Sequence, residues 1–200
     1  GRLFADVDIL VPQEALASVE SALQLHGWVG THRDAYDQRY YRRWMHQIPP
    51  MRHARRGTTI DVHHNLLPET GPRQPDPVRL RTAARPVPGW PRLHLPSAED
   101  LVLHAAAHLF HDGALENGLR DLMDLDALLR HFGGDAAFWG RLGQRAAEMD
   151  LVPPWRDGLR WTRRLLGTPA PAPAFDSEPL RLRGLGPRIR DLLFAPGLRP

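Results

Sequence analysis

The chain has 200 residues, 42% of them hydrophobic and 24% charged, ordinary globular values that exclude a disordered chain and a coiled coil. It contains no cysteine, which excludes disulfide scaffolds, thiolate zinc sites and cysteine nucleophiles. All 26 basic residues are arginine, and against 23 acidic residues they leave a formal net charge of only +3, too little for a nucleic-acid footprint.

The chain opens in a buried-strand pattern, Phe4-Ala-Asp-Val-Asp-Ile-Leu-Val11, with Val7, Ile9 and Val11 on one face. A strand so close to Gly1 predicts that an earlier segment belongs to the natural protein. Pro12 marks a helix start, Ala15, Leu16, Val19, Ala22, Leu23 and Leu25 repeat at helical spacing, and Gly27 caps the end. The aromatic run Arg39–Ile48 reads as β-rich, Pro49-Pro50 breaks it, and Arg55-Arg-Gly57 turns the chain into Thr58–His64, so an antiparallel hairpin is expected. Eight prolines between Pro68 and Pro96 predict an irregular crossing segment. Ser97-Ala-Glu-Asp100 resembles a capping box with aspartate in the usual glutamate place. Helices are expected near 98–111, 115–132, 135–149, 154–166 and 178–194, with a stiff Pro/Ala linker over 168–174. The resulting expectation is an α+β chain. A small mixed or antiparallel sheet over residues 1–96 is followed by a helical bundle over 97–200. No run of 18 apolar residues and no signal segment occurs, so a cytoplasmic location without a membrane partner is expected.

Asp6 and Asp8 are the most informative pair. Residues two apart on a strand point the same way, with Cα atoms about 6.5–7 Å apart. Two adjacent carboxylates repel unless a cation lies between them. Mg²⁺ takes carboxylate oxygens and completes its shell with water and phosphates. A two-metal phosphoryl-transfer site needs carboxylates spanning ions about 3.5–4 Å apart, which a D-x-D pair suits. Aspartates at strand ends are also common without any metal. Asp61 adds weight, because an aspartate between Ile60 and Val62 in a strand is costly without a partner.

Arg2-x-x-x-Asp6-Val-Asp8-Ile-Leu-Val, the helix ending in Gly27-Trp28, and Ile60-Asp61-Val-His63 together resemble the uncharacterised nucleotidyltransferase family of the DNA polymerase beta-like superfamily. Glu99–His104-x3-His108 and Arg120-Asp-Leu-Met-Asp124 resemble the helical half of that family, so the likeness runs over roughly residues 2–132. It implies a mixed sheet, an active-site aspartate pair, a third carboxylate, and Mg²⁺-dependent transfer of NMP from an NTP to an acceptor hydroxyl. By that resemblance Asp6 and Asp8 are metal ligands of a two-metal site. Asp61 is the third carboxylate, as ligand or general base, and Arg2 lies among the substrate contacts. The superfamily's glycine-serine or glycine-glycine turn upstream of the pair is missing after Gly1, so the chain alone is expected to be weak or inactive as a transferase. The acceptor, a small molecule or a protein, is not identified, and no nucleic-acid partner is expected.

His104, His108 and His111 share one helix face, with Asp112 following. They can pack against other elements, contact substrate, or bind a divalent metal as in HD-type phosphohydrolases, with Asp121 and Asp124 as further ligands. His104 and His108 are carried as substrate contacts, and His63, on the strand face of Asp61, as the histidine at the edge of the site. Besides the HD-type hydrolase, a catalytically degenerate domain that binds a nucleotide or a partner is the other alternative. Asp121, Asp124 and Asp126 otherwise read as the solvated face of an amphipathic helix, and Trp139, Trp155 and Trp161 as core.

Overall fold

The computed structural model describes residues 6–32, 34–111 and 118–171. Arg2, Asp112 and the expected 178–194 helix lie outside the described residues. The chain divides into two compact units between Ala83 and Ala84.

The first unit begins with strand β1 (Asp6–Leu10), a 3₁₀ turn (Gln13–Ala15) and helix α1 (Leu16–Leu25). Pro12 cannot donate from its nitrogen, so it costs nothing at a helix start. Gly27 closes α1 at φ +86°, a backbone setting that glycine adopts freely, and its N–H bonds Gln24 O at 3.0 Å. Strand β2 (Trp28–Gly30), helix α2 (Ala35–Trp44), strands β3 (Met51–His53) and β4 (Thr59–His63), and helix α3 (Pro77–Ala83) complete the unit. The sheet order is β1-β4-β3-β2, with β1 and β4 parallel and the other pairs antiparallel.

Strand alternation divides the two faces of this sheet. Ile60 and Val62 of β4 and Met51 of β3 are buried, with Ile48, against Ile9, Val11, Leu16, Val19 and Leu23. Helix α1 therefore covers the apolar face. Val7 shares the parity of Ile9 but stays 55% exposed, because β1 is an edge strand and Val7 stands near its start. Asp6, Asp8, Thr59, Asp61 and His63 occupy the opposite face.

Two local expectations are corrected. Arg39–Trp44 is helix, not strand. Asp34 caps α2 by accepting a hydrogen bond from Tyr36 N at 2.6 Å, and Asp37 in the first turn with Arg42 and Arg43 in the last complement the helix dipole. These terms outweigh the β preference of the aromatic residues. The hairpin partner of β4 is instead β3, just after Pro49-Pro50. The 66–96 region is also more regular than its prolines suggest. Pro77 starts α3, and Pro86 and Pro91 fit a two-stranded ribbon, β5 (Arg85–Val87) with β6 (Trp90–Leu95), where an edge position needs no N–H.

The second unit holds that ribbon and helices α4 (Ala98–His111), α5 (Gly118–Phe132), α6 (Ala136–Glu148) and α7 (Val152–Leu166). Helix α4 packs against α5, α6 and α7. Its Val102, Leu103, Ala106 and Leu109 are buried, as are Leu122, Leu125 and Leu129 of α5. Trp139, Trp155 and Trp161 are all core, at 6%, 7% and 4% exposure. Ser97 does cap α4, with its Oγ accepting from Asp100 N at 3.1 Å. The Asp100 carboxylate does not close the box on the cap backbone. It accepts from Ser97 Oγ at 2.8 Å and from Arg145 at 2.7 and 2.9 Å. Among the described residues no helix is long and apolar enough to cross a membrane.

Candidate active site

Parallel pairing of β1 with β4 sets Asp8 opposite Asp61, two residues beyond the Asp6–Thr59 pair and two before the Leu10–His63 pair. Cross-strand partners in register point to the same face. One ligand atom each of Asp8, Asp61 and His63 lies within 4.8 Å of the others. His63 Nε2 stands 3.7 Å from Asp8 Oδ1, and its ring packs 5.1 Å from that of His46. Asp6 is on the same face but outside this tight group.

The electrostatics of the group are unfavourable on their own. Asp61 Oδ1 is sealed from solvent and has no hydrogen-bond partner among the described residues. Burial above all, then the Asp8 carboxylate, raises the Asp61 pKa above its ordinary 3.8, with His63 acting the other way and Asp6 adding to the rise. A carboxylate oxygen buried without a donor costs free energy. Repulsion from Asp8 adds to that cost. A divalent cation removes both penalties, so the residues present fit one. Asp8 and Asp61 supply hard oxygens. The imidazole of His63 is a donor that Mg²⁺ takes less readily than a transition metal does, which places it beside the carboxylates more than among the ligands of Mg²⁺.

Two neighbours were not read from the sequence. His46 is buried beside His63, and its carbonyl accepts from His64 N at 2.9 Å. Tyr41 on α2 has a raised phenol pKa, first from burial and then from the carboxylates of Asp37 and Asp61 and from Tyr40. Both were hidden by reading 39–48 as a strand. The signal that finds them is Asp34 two residues before Tyr36, an aspartate placed to cap a helix.

His104 and His108 stand on α4 in the second unit, with ring centroids 6.2 Å apart. Among the described residues the only group of three or more metal-ligating side chains is Asp8, Asp61 and His63, so α4 gathers no described HD-type site. Asp121 pairs with Arg120 at 3.1 Å, and Asp126 with Arg130 at 2.9 Å.

A strand bearing D-x-D, faced in parallel register by a third aspartate on the open side of a small mixed sheet, agrees with a nucleotidyltransferase-like protein, the class that the family match shows. The particular family follows from the sequence match. The chain belongs to the uncharacterised nucleotidyltransferase family, whose model matches residues 1–167. Membership implies an NTP as substrate and the divalent-metal chemistry common to nucleotidyltransferases. No curated protein and no solved structure matches this chain.

Proposed function

We propose that the acidic face of the first unit catalyses Mg²⁺-dependent transfer of a nucleoside monophosphate from an NTP to an acceptor hydroxyl. The observation that carries this reading is the buried Oδ1 of Asp61, without a donor among the described residues, on the strand beside Asp8 and in register with it. A buried carboxylate held against a second carboxylate is a poor structural element and a good cation site.

Asp8 and Asp61 hold Mg²⁺, with Asp6 flanking them on the same strand face. Bound there, Mg²⁺ supplies positive charge against the negative charge of the triphosphate. In the transfer step the acceptor oxygen bonds to the α-phosphorus, and the bond from that phosphorus to the departing pyrophosphate breaks. The hydroxyl proton goes to a carboxylate oxygen of Asp61 that the ion leaves free, in the general-base role. His63, 3.7 Å from Asp8 Oδ1, orients that carboxylate. Arg2, His104 and His108 are assigned no step.

The test pairs ion binding with turnover. Mg²⁺ together with a non-hydrolysable NTP analogue raises the melting temperature of the wild-type chain, and Asp8→Asn abolishes the rise. The same substitution reduces NTP-dependent pyrophosphate release to background. Unchanged release by Asp8→Asn discards the assignment. An ion-dependent rise without any release points to a binding domain that has lost catalysis.

A further inference from the structure

Helix α2 carries on its outer side a feature that the metal site does not use. Tyr36, Tyr40 and Trp44 follow at four-residue spacing and are 68%, 45% and 45% exposed. At 100° per residue they fall on one arc, and Arg39 and Arg43 extend it without a gap to about 140°. The Tyr36 and Tyr40 rings are nearly parallel, at 16° with centroids 6.5 Å apart. The Arg43 guanidinium lies 5.2 Å over the Trp44 ring. Among the described residues no carboxylate pairs with Arg39 or Arg43, whereas Arg42, on the flank of the arc, is taken by Glu20 at 2.8 Å. An open, shallow concavity of about 600 Å³ lies among these residues together with Gln38 and Arg42.

Three large aromatic side chains left in water are not explained by folding, since an amphipathic helix ordinarily buries its rings. A purely apolar partner would leave Arg39 and Arg43 desolvated and unpaired. An acidic peptide would pair the arginines but leave the flat ring faces without matching planes. Arg39 Nε donates to Ala35 O at 3.3 Å, but neither guanidinium has a carboxylate partner among the described residues. Alternating flat faces and such guanidinium groups fit a ligand that repeats planar rings and anionic groups.

We propose that the outer face of α2 binds single-stranded nucleic acid, with bases stacking on Tyr36, Tyr40 and Trp44 and phosphates meeting Arg39 and Arg43. Ten helical residues span about 15 Å, enough for about three nucleotides, one to each ring. The chain's small net charge speaks against an extended nucleic-acid footprint, but two arginines with no carboxylate partner among the described residues, beside three aromatic rings, make a local one. The stripe ends at Trp44, two residues before His46, whose ring packs on His63. Along the chain the stripe therefore ends beside a neighbour of the candidate metal site, and only the meaning of that neighbourhood rests on the transferase reading.

Fluorescence anisotropy of the full chain with a fluorescein-labelled single-stranded 12-mer, as RNA and as DNA, tests the surface. Saturable binding is expected at low salt. Each of Tyr36→Ala, Tyr40→Ala and Trp44→Ala weakens it about five-fold or more. The double variant Arg39→Gln/Arg43→Gln lowers the slope of log affinity against log salt by about 1.4, the value for two phosphates on a single strand. The Mg²⁺-dependent rise in melting temperature reports folding of the aromatic variants and is retained in them. Asp8→Asn, which loses that rise, keeps oligonucleotide binding, so failure of the metal site and failure of this surface are separately visible. No saturable binding to either oligonucleotide overturns the proposal. So does equal affinity for a duplex of the same length, or unchanged affinity when Tyr36→Ala, Tyr40→Ala and Trp44→Ala are combined in one variant. Capture of an acidic peptide in place of the oligonucleotides assigns the face to a protein and likewise overturns it.

Discussion

Asp100 in the second unit and Asp61 in the first are both aspartates drawn out of solvent, and they are treated in opposite ways. Asp100 is 1% exposed, accepts a hydrogen bond from the Oγ of Ser97, the cap of α4, and accepts two from Arg145. Asp61 faces another aspartate and keeps a buried oxygen without a donor among the described residues. A buried charge that has its partners belongs to the architecture. One left without them among the described residues, beside a like charge, is costly as it stands, which is why the proposed cation falls on Asp61 and not on Asp100. The packing follows the same division. The helical unit is filled by leucines and tryptophans, whereas the sheet unit rests on a small cluster around Ile48, Met51, Ile60 and Val62.

The strongest way to break this contrast is to give Asp100 the condition of Asp61. Arg145→Met strands a fully buried carboxylate and is expected to destabilise the helical unit by about 3–5 kcal/mol, read by urea unfolding monitored through tryptophan fluorescence. A loss below about 1 kcal/mol would show that the pair is not needed to hold Asp100.

A smaller effect tests the packing half of the comparison. A Cβ at Gly158 of α7 would sit 2.7 Å from Leu125 Cδ2 and 3.4 Å from Ala106 Cβ. Leu125 is 1% exposed and has little space into which to move. Overpacking of about 1–3 kcal/mol outweighs a helix-propensity gain of about 1 kcal/mol. Gly158→Ala therefore lowers stability by about 1 kcal/mol net, and an unchanged urea midpoint would refute the close approach of α7 to α5.

Asp61→Asn works in the opposite direction. Removing the unpartnered charge raises the melting temperature of the metal-free protein by a few degrees while abolishing its response to Mg²⁺. A drop in the metal-free melting temperature would mean that Asp61 is a structural residue like Asp100.

The smallest effect is one of pH. Because the folded-state pKa of Asp61 is raised above its ordinary 3.8, the folded protein binds the extra proton between those two values. Its contribution to stability therefore falls as pH rises through that window, and is regained as pH falls. In metal-free protein the wild type loses stability relative to Asp61→Asn across that window. A parallel pair of stability–pH curves would contradict the shift.

Much of this was legible in the residues. Alternation in 6–10 and 59–63 and helical periodicity in 98–111 and 136–148 are short-range patterns, and the D-x-D pair with Asp61 follows from them. Helix α2 was not legible by pattern alone, since Tyr, Trp and Arg favour a strand as readily as an exposed helix face, and a cap two residues before Tyr36 decided it. The ribbon of β5 and β6 was masked by Pro86 and Pro91, which only an edge position tolerates.

The sequence by itself determined the fold class, the apolar and acidic faces of the two site strands, and the identity of the carboxylates, because each depends on spacing within one segment. Tertiary structure alone decided that Asp8 stands opposite Asp61, that His63 rather than Asp6 completes the tight group, and that Asp100 finds Arg145 45 residues away. Register between distant strands and pairing between distant helices are set by how whole faces pack, and local spacing carries no record of that.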